Sequence, residues 1–181
     1  MAIPTDVTTI PSNRRMFDAL LEVRDSSEGA NTTIAANRGT LSEEMPLVGA
    51  TVTPINVGNG RMKGRMIIQL LANADVVTGN EIYDFIVYGN SLANVTAGGS
   101  NQKVELGRIS ISAAGALMGE NADEPELGDE YSIYFSNDVQ GIDSAGSAKI
   151  GRVFPFITLG LQCYGTTPSV DYIAYIAPDP V

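Results

Sequence analysis

The most concentrated chemical signal in this sequence is an acidic segment, Gly119–Glu130, in which six of twelve residues are acidic. The side chains able to contact a cation or a basic partner are Asp123, Glu124, Glu126, Asp129 and Glu130. Calcium takes six to eight such oxygens, but the spacing lacks the alternating acids around a central glycine that mark the twelve-residue calcium loop. Neither lysine nor arginine occurs between Arg108 and Lys149. We expect a solvated acidic loop or a contact with a basic partner, and calcium binding by this loop stays open as an alternative.

A second candidate is Asp84, which interrupts the apolar run Glu81–Tyr88. Glycoside hydrolysis needs two carboxylates that flank a cleft, and Glu105 or Asp171 would be the partner. No spacing rule supports either pairing. A strand aspartate that is solvated, or paired with Arg65 or Arg108, is the simpler explanation, so we expect no enzyme.

Other chemistry is excluded by composition. The chain has no histidine, so Ser-His-Asp and Cys-His catalytic arrangements are impossible. Its single cysteine, Cys163, excludes an intramolecular disulfide and a cysteine-based zinc cluster. Cys163 lies on an apolar row of a late strand, which indicates a small buried hydrophobe. The turns Gly58-Asn59-Gly60 and Gly98-Gly99 lack the lysine of a phosphate-binding loop. We expect no cofactor.

The charge balance restricts the partners. Eleven basic against 21 acidic residues give a net charge of −10 and a pI near 4.3. Such a surface repels nucleic-acid backbones and anionic membranes. The first residues lack the basic start and apolar core of a signal peptide, and the longest uncharged stretch, Val153–Val170, is interrupted by proline and glycine. The sequence predicts a protein of a reducing cytoplasm, with neither a nucleic-acid nor a membrane partner.

Period-two alternation of apolar residues predicts an all-β fold. Eight to ten strands with turn signals between them, and no long helix, are typical of an antiparallel β-sandwich of the jelly-roll type. The runs Ala148–Cys163 and Val170–Ala177, joined by a turn containing Gly165 and Pro168, predict a closing hairpin. Asn137–Ser147 is predicted to be a loop. Pro54 indicates an edge strand or a bulge, and Gly107 a bulge.

Two segments near the start stand apart. Residues 1–15 are predicted to form an extended arm, with Pro4 and Pro11 favouring extended backbone and Arg14-Arg15 closing it. Residues 16–181 then form one domain. Its first segment, Met16–Val23, fits a helix as well as a strand, and the alternatives stay open.

The chain resembles a known family at both ends. Arg152–Tyr164, the turn Gly165–Pro168 and the strand Val170–Ala177 resemble the closing segment of the jelly-roll capsid cement, or decoration, proteins of tailed bacteriophages. Met16–Leu21 and Arg24–Ser26 are similar to the opening of that family. The resemblance covers about a third of the chain. The length of the arm and the acidic loop depart from the family pattern.

The resemblance implies a non-enzymatic homotrimer on the outer capsid surface of a virion, made in the host bacterial cytoplasm, that bridges subunits of the major capsid protein. Its first contact candidates are Arg14, Arg15, Pro4 and Pro11, and the acidic loop is the second. The alternative is a carbohydrate-binding or receptor-binding β-sandwich module of a phage tail fibre. That alternative predicts tyrosines clustered on one exposed face, because aromatic rings stack on sugars.

Overall fold

Thirteen strands and no α-helix make up the described part of this chain. The structure, a computed structural model, describes residues 21–37, 39–48, 51–93, 103–112, 125–142 and 148–178. The strands are β1 (Glu22–Arg24), β2 (Glu43–Met45), β3 (Leu47–Val48), β4 (Thr51–Val52), β5 (Ile55–Asn56), β6 (Lys63–Leu70), β7 (Ile82–Asn90), β8 (Lys103–Ser112), β9 (Glu130–Ser136), β10 (Asp138–Ile142), β11 (Ala148–Val153), β12 (Phe156–Tyr164) and β13 (Tyr172–Pro178).

Two antiparallel sheets pack face to face. The first sheet has the order β1-β13-β6-β9, and the second has the order β2-β12-β7-β8 with β5 beside β12. Along the chain, eight strands alternate between the sheets, except that β7 and β8 form a hairpin within the second sheet. These eight are β1, β2, β6, β7, β8, β9, β12 and β13. This double Greek-key order is the jelly roll. The predicted all-β jelly-roll sandwich is therefore confirmed.

The predicted closing hairpin is wrong. β12 pairs with β7 and β2 in the second sheet, whereas β13 pairs with β6 and β1 in the first. The turn between them crosses from one sheet to the other. Gly165 makes this crossing possible: its φ is +109°, and an added Cβ would lie 2.7 Å from the Cα of Glu81. Alternation of apolar residues shows which face of a strand is buried, but it does not show which other strand pairs with it.

Two other segments differ from the sequence prediction, and a third, which was open between helix and strand, is described in part. The run Ala148–Cys163 is two strands, because Pro155 separates β11 from β12. The predicted loop Asn137–Ser147 contains β10, which pairs with β11. Within the ambiguous segment Met16–Val23, residues 22 and 23 belong to strand β1. Residues 16–20 lie outside the described residues, as does the arm, residues 1–15.

The core lies between the sheets. Alternate residues of the strands in the two large sheets supply it, among them Met66, Tyr83, Phe85, Leu159 and Ile176. The rings of Phe85 and Tyr172 pack edge to face across the two sheets, with centroids 4.9 Å apart. Burial of this continuous apolar layer is the main stabilising term of the fold.

Bulges and glycines adjust the edges. The β7–β8 register skips Leu106, which confirms a bulge beside Gly107. An added Cβ on Gly107 would lie 2.9 Å from the Tyr134 carbonyl oxygen, so this glycine lets β8 approach β9 and close one side of the sandwich. Pro54 lies between the two-residue strands β4 and β5, and β5 occupies an edge, as a proline next to it requires.

Candidate functional site

The Asp84 carboxylate is held inside a network on the outer face of the second sheet. Arg108 Nη1 donates to Asp84 Oδ2 at 2.9 Å, and Ser110 Oγ donates to Oδ1 at 2.5 Å. The strand register places Ser110 directly opposite Asp84 on β8. None of the Asp84 surface is exposed. The expected pairing with Arg108 is confirmed, whereas Arg65 lies against Tyr134 on the first sheet.

Glu105 shares the same guanidinium. Arg108 donates to it through Nε at 3.1 Å and through Nη2 at 2.9 Å, and this bidentate bond raises the pKa of Arg108. Two carboxylates therefore meet at one cation. Asp171, the other considered partner, lies next to Arg24 in the first sheet. The Asp84 carboxylate is fully buried and bonded at both oxygens by residues of β8, so this arrangement stabilises the β7–β8 hairpin.

A second charged pair lies on the same outer face. The Lys103 ammonium bonds Glu44, whose other oxygen accepts a hydrogen bond from Thr158 Oγ1 at 3.4 Å. Asn90 Nδ2 donates to Thr158 at 3.2 Å, and the ammonium stands 5.7 Å from the Tyr88 ring. This network ties β2 to β8 across the two central strands. Sequence reasoning missed it, because Glu44 and Lys103 are 59 residues apart and neither belongs to a motif.

A third network crosses between the sheets around Arg24. The guanidinium donates to the backbone oxygens of Gly29 and Tyr172, and it stacks on the Tyr172 ring at 4.2 Å. Its Nε lies 3.8 Å from a Glu43 oxygen, and Tyr172 donates its hydroxyl to Glu43 at 3.2 Å. Burial raises the pKa of Tyr172 well above its ordinary value, with the Glu43 charge adding to it. The arginine was not singled out in the sequence, since only the fold brings Glu43 to it.

A cleft of about 590 Å³ lies beside this third network. Arg24 and Glu43 line it, the hydroxyls of Thr32 and Thr33 contribute polar groups, and Glu28 adds a carboxylate. Leu41 and Leu47 supply an apolar wall. Hydroxyl, carboxylate and apolar groups together suit a polar, uncharged or cationic ligand.

The acidic loop is described from residue 125 onward, so Asp123 and Glu124 lie outside the described residues. Asp129 is a turn residue: its Oδ2 accepts the Glu126 amide at 2.9 Å and the Tyr131 hydroxyl at 3.3 Å. Burial, followed by the Asp129 charge, raises the pKa of Tyr131 to about 12. Glu126 and Glu130 are exposed. Among residues 125–130 the turn thus uses one acid structurally and presents two to solvent.

Within the described part of the chain, no three acidic, cysteine or histidine side chains form a group that could hold a metal ion. Leu127, at the tip of the acidic turn, is 66% exposed. An exposed leucine with Glu126 beside it and Glu130 nearby combines an apolar centre with a charged surround, which is typical of protein contact surfaces.

The tyrosines do not form an exposed row. Tyr83 and Tyr172 are fully buried, and Tyr88, Tyr131, Tyr164 and Tyr175 are partly buried. Only Tyr134, among the seven, is exposed, at 66%. The stacking platform that a sugar-binding module would present is therefore not built from these residues.

Cys163 is confirmed as a buried hydrophobe. None of its surface is exposed, and burial raises the pKa of its thiol to about 11. Its neighbours on β12 include Leu161, which faces the same core. A protonated, inaccessible thiol is a poor nucleophile.

The four arm candidates, Arg14, Arg15, Pro4 and Pro11, lie outside the described residues. The described residues include no helix long and apolar enough to cross a membrane. No protein-family model, no curated protein and no solved structure matches the chain.

Proposed function

We propose that this protein is a non-enzymatic structural component of a phage particle, which decorates the outer capsid surface as a homotrimer and bridges subunits of the major capsid protein. The observation that carries the proposal is the use of the buried charges. Asp84, Glu44 and Arg24 are each neutralised by the chain's own side chains and hold strands together. These interactions make the sandwich rigid, and a structural protein on a lattice needs that rigidity.

The jelly-roll topology supports the proposal, because it agrees with the fold implied by the family that the two ends of the sequence resemble. A fold alone hosts many functions. The resemblance at Arg152–Ala177 therefore provides the capsid assignment, and the sandwich provides a rigid body that is compatible with it.

Two surfaces are assigned to the capsid. The arm with Arg14 and Arg15 is the first, and the acidic turn is the second. In the turn, exposed Leu127 supplies an apolar centre, and Glu126 and Glu130 select a basic partner surface. Many copies on one lattice make weak individual contacts collectively tight.

The test is a binding experiment with capsids that lack this protein. Purified full-length chain is mixed with such particles, and the bound fraction is measured after sedimentation. Full-length protein should bind. A chain lacking residues 1–15 should keep its melting temperature and bind less, and Leu127→Ser should weaken binding by about tenfold, the effect of a contact centre.

Val77→Ser is the matched control, because Val77 is 89% exposed on a different turn. It should bind like the unmodified chain. Failure of the full-length protein to bind any particle contradicts the proposal. Unchanged binding after removal of the arm assigns the contact to the globular domain instead.

A carbohydrate-binding module is the second candidate, favoured by the 590 Å³ cleft. A bacterial polysaccharide would place its hydroxyls against Thr32, Thr33 and Glu28. Isothermal titration with host polysaccharide should then give heat that is lost in Thr33→Val and kept in Thr53→Val, which alters an exposed threonine that does not line the cleft. No heat with the unmodified chain removes this candidate.

A further inference from the structure

The margin of the first sheet carries opposite charges at its two ends. On its outer face, the β6–β9 register brings together Lys63 with Ser136, Arg65 with Tyr134, Ile67 with Ser132, and Gln69 with Glu130. Arg61 lies just before this end, but it is ion-paired with Asp138 at 2.9 Å, so Lys63 supplies the unpaired positive charge there. Glu126, in the turn before β9, extends the acidic end.

The outermost charges of this stripe are available to a partner. Lys63, Glu126 and Glu130 are exposed, and none forms an ion pair with another residue in the described ranges. On the second sheet, by contrast, Asp84 and Glu44 are neutralised by Arg108 and Lys103. On this stripe the unneutralised charges are thus ordered by sign: Lys63 of β6 lies at one end, and Glu126 and Glu130 lie at the other.

Each end also has an exposed large apolar side chain. Tyr134, 66% exposed, stands beside Arg65 at 5.3 Å from the guanidinium carbon to the ring centre. Leu127, equally exposed, stands in the acidic turn. Ser132, a small side chain, separates the ends. An aromatic or apolar centre within charged surroundings is the composition of a protein contact.

We propose that this stripe is a two-fold contact between two copies of the chain, with the axis passing beside Ser132. Rotation about that axis exchanges the position of Tyr134 with that of Glu130. It likewise places Lys63 of each copy over the turn containing Glu126 of the other. Tyr134 and Glu130 lie four residues apart on one face of β9, about 13 Å at 3.3 Å per residue. The stripe is therefore complementary to itself.

Self-complementarity is the reason to assign a second copy rather than another protein. A two-fold contact places the same surface on both partners, so basic must meet acidic in both directions. Ile67 is fully buried next to Ser132, so the contact follows the β9 margin and does not cover the sheet. A stripe of about ten residues is smaller than a standard interface, which predicts a weak contact that gains strength in an array.

This inference goes beyond the proposed function. A two-fold contact cannot close a trimer, so it joins copies that belong to different trimers. It is independent of any capsid, and capsid binding can fail while it holds.

The test is disulfide trapping at the axis. Ser132→Cys brings two thiols together only if the two-fold contact forms, and Thr53→Cys is the control at an exposed site elsewhere. Native Cys163 is fully buried and stays silent. After mild oxidation at equal protein concentration, Ser132→Cys should give two-chain products on a denaturing gel about tenfold faster than the control, through the effective concentration of a specific contact.

Charge reversal then tests the orientation. In the Ser132→Cys background, Lys63→Glu and Glu126→Lys should each slow trapping, and the two combined should restore it. High salt should slow it as well. If Ser132→Cys forms two-chain products no faster than the Thr53→Cys control, the proposed contact is overturned. Equal slowing by the single and combined reversals overturns the two-fold orientation.

Discussion

Asp84 and Arg108 form a 2.9 Å ion pair across the β7–β8 hairpin, with the carboxylate fully buried and the guanidinium partly exposed. The asymmetry decides what each partner contributes. Arg108 retains Glu105 and solvent when Asp84 is removed. Among the described residues, Asp84 retains the Ser110 hydroxyl but no cation when Arg108 is removed, and an unneutralised buried charge is the costlier state.

Arg108→Met should therefore lower the free energy of unfolding by about 3 kcal/mol, because it leaves the Asp84 carboxylate buried without a cation. Urea denaturation monitored by circular dichroism measures it. Glu105→Gln is the matched control: its carboxylate is 45% exposed, so its loss should cost under about 1 kcal/mol. Equal effects of the two changes would show that the Asp84 charge is stabilised by other groups.

Gly107→Ala should destabilise the protein by about 2 kcal/mol, since the new Cβ overlaps the Tyr134 carbonyl oxygen and the Ile133 side chain. The β8–β9 closure must then open slightly. Gly60→Ala is the control, because no atom lies within 4 Å of its added Cβ. Thermal unfolding of the two variants measures the difference, and similar melting temperatures would contradict the close approach.

The thiol of Cys163 should make stability fall at alkaline pH. Its pKa is raised from 9.0 to about 11 in the folded state, so the unfolded chain releases this proton first as the pH rises. The contribution is intact below pH 9 and is lost between pH 9 and pH 11. Between pH 8 and pH 10 the loss should be about 1 kcal/mol.

Cys163→Ala isolates that contribution. Tyrosine ionisation affects both proteins alike, so the difference between their pH slopes reports the thiol alone. Urea midpoints at pH 8, 9 and 10 give both slopes. Parallel slopes would mean that the folded thiol ionises as readily as the unfolded one.

Light scattering over a range of concentrations should give the mass of three 19.1 kDa chains, as the proposed cement function requires. The edge strand β1 is suited to burial against a neighbouring copy. A mass of one chain at every concentration would contradict a preformed trimer and would strengthen the carbohydrate-binding candidate.

Local sequence patterns predicted much of the fold. Alternation in Lys103–Ser112 matches β8 in both bounds, and Glu81–Tyr88 lies almost wholly within β7. Gly107 marked a bulge, and Cys163 marked a core position. Each of these depends on a residue's own strand, where period-two burial is written directly into the order of side chains.

The pairing of strands within the sheets could not be predicted in the same way. The turn at Gly165–Pro168 has the length of a hairpin connection, yet β12 and β13 lie in different sheets. Strand alternation is the same whether a neighbour in sequence is a neighbour in the sheet or lies across the core. The choice depends on which arrangement buries all the strands together.

Residue order alone establishes an all-β chain, the positions of several strands such as β7 and β8, the acidic charge and the lack of histidine and of an intramolecular disulfide. The packing of the strands sets which charged side chains meet: Asp84 with Arg108, Glu44 with Lys103, and Arg24 with Glu43. These pairs are 24, 59 and 19 residues apart in the chain. Coulomb attraction depends on distance in space, and that distance exists only once the two sheets have packed.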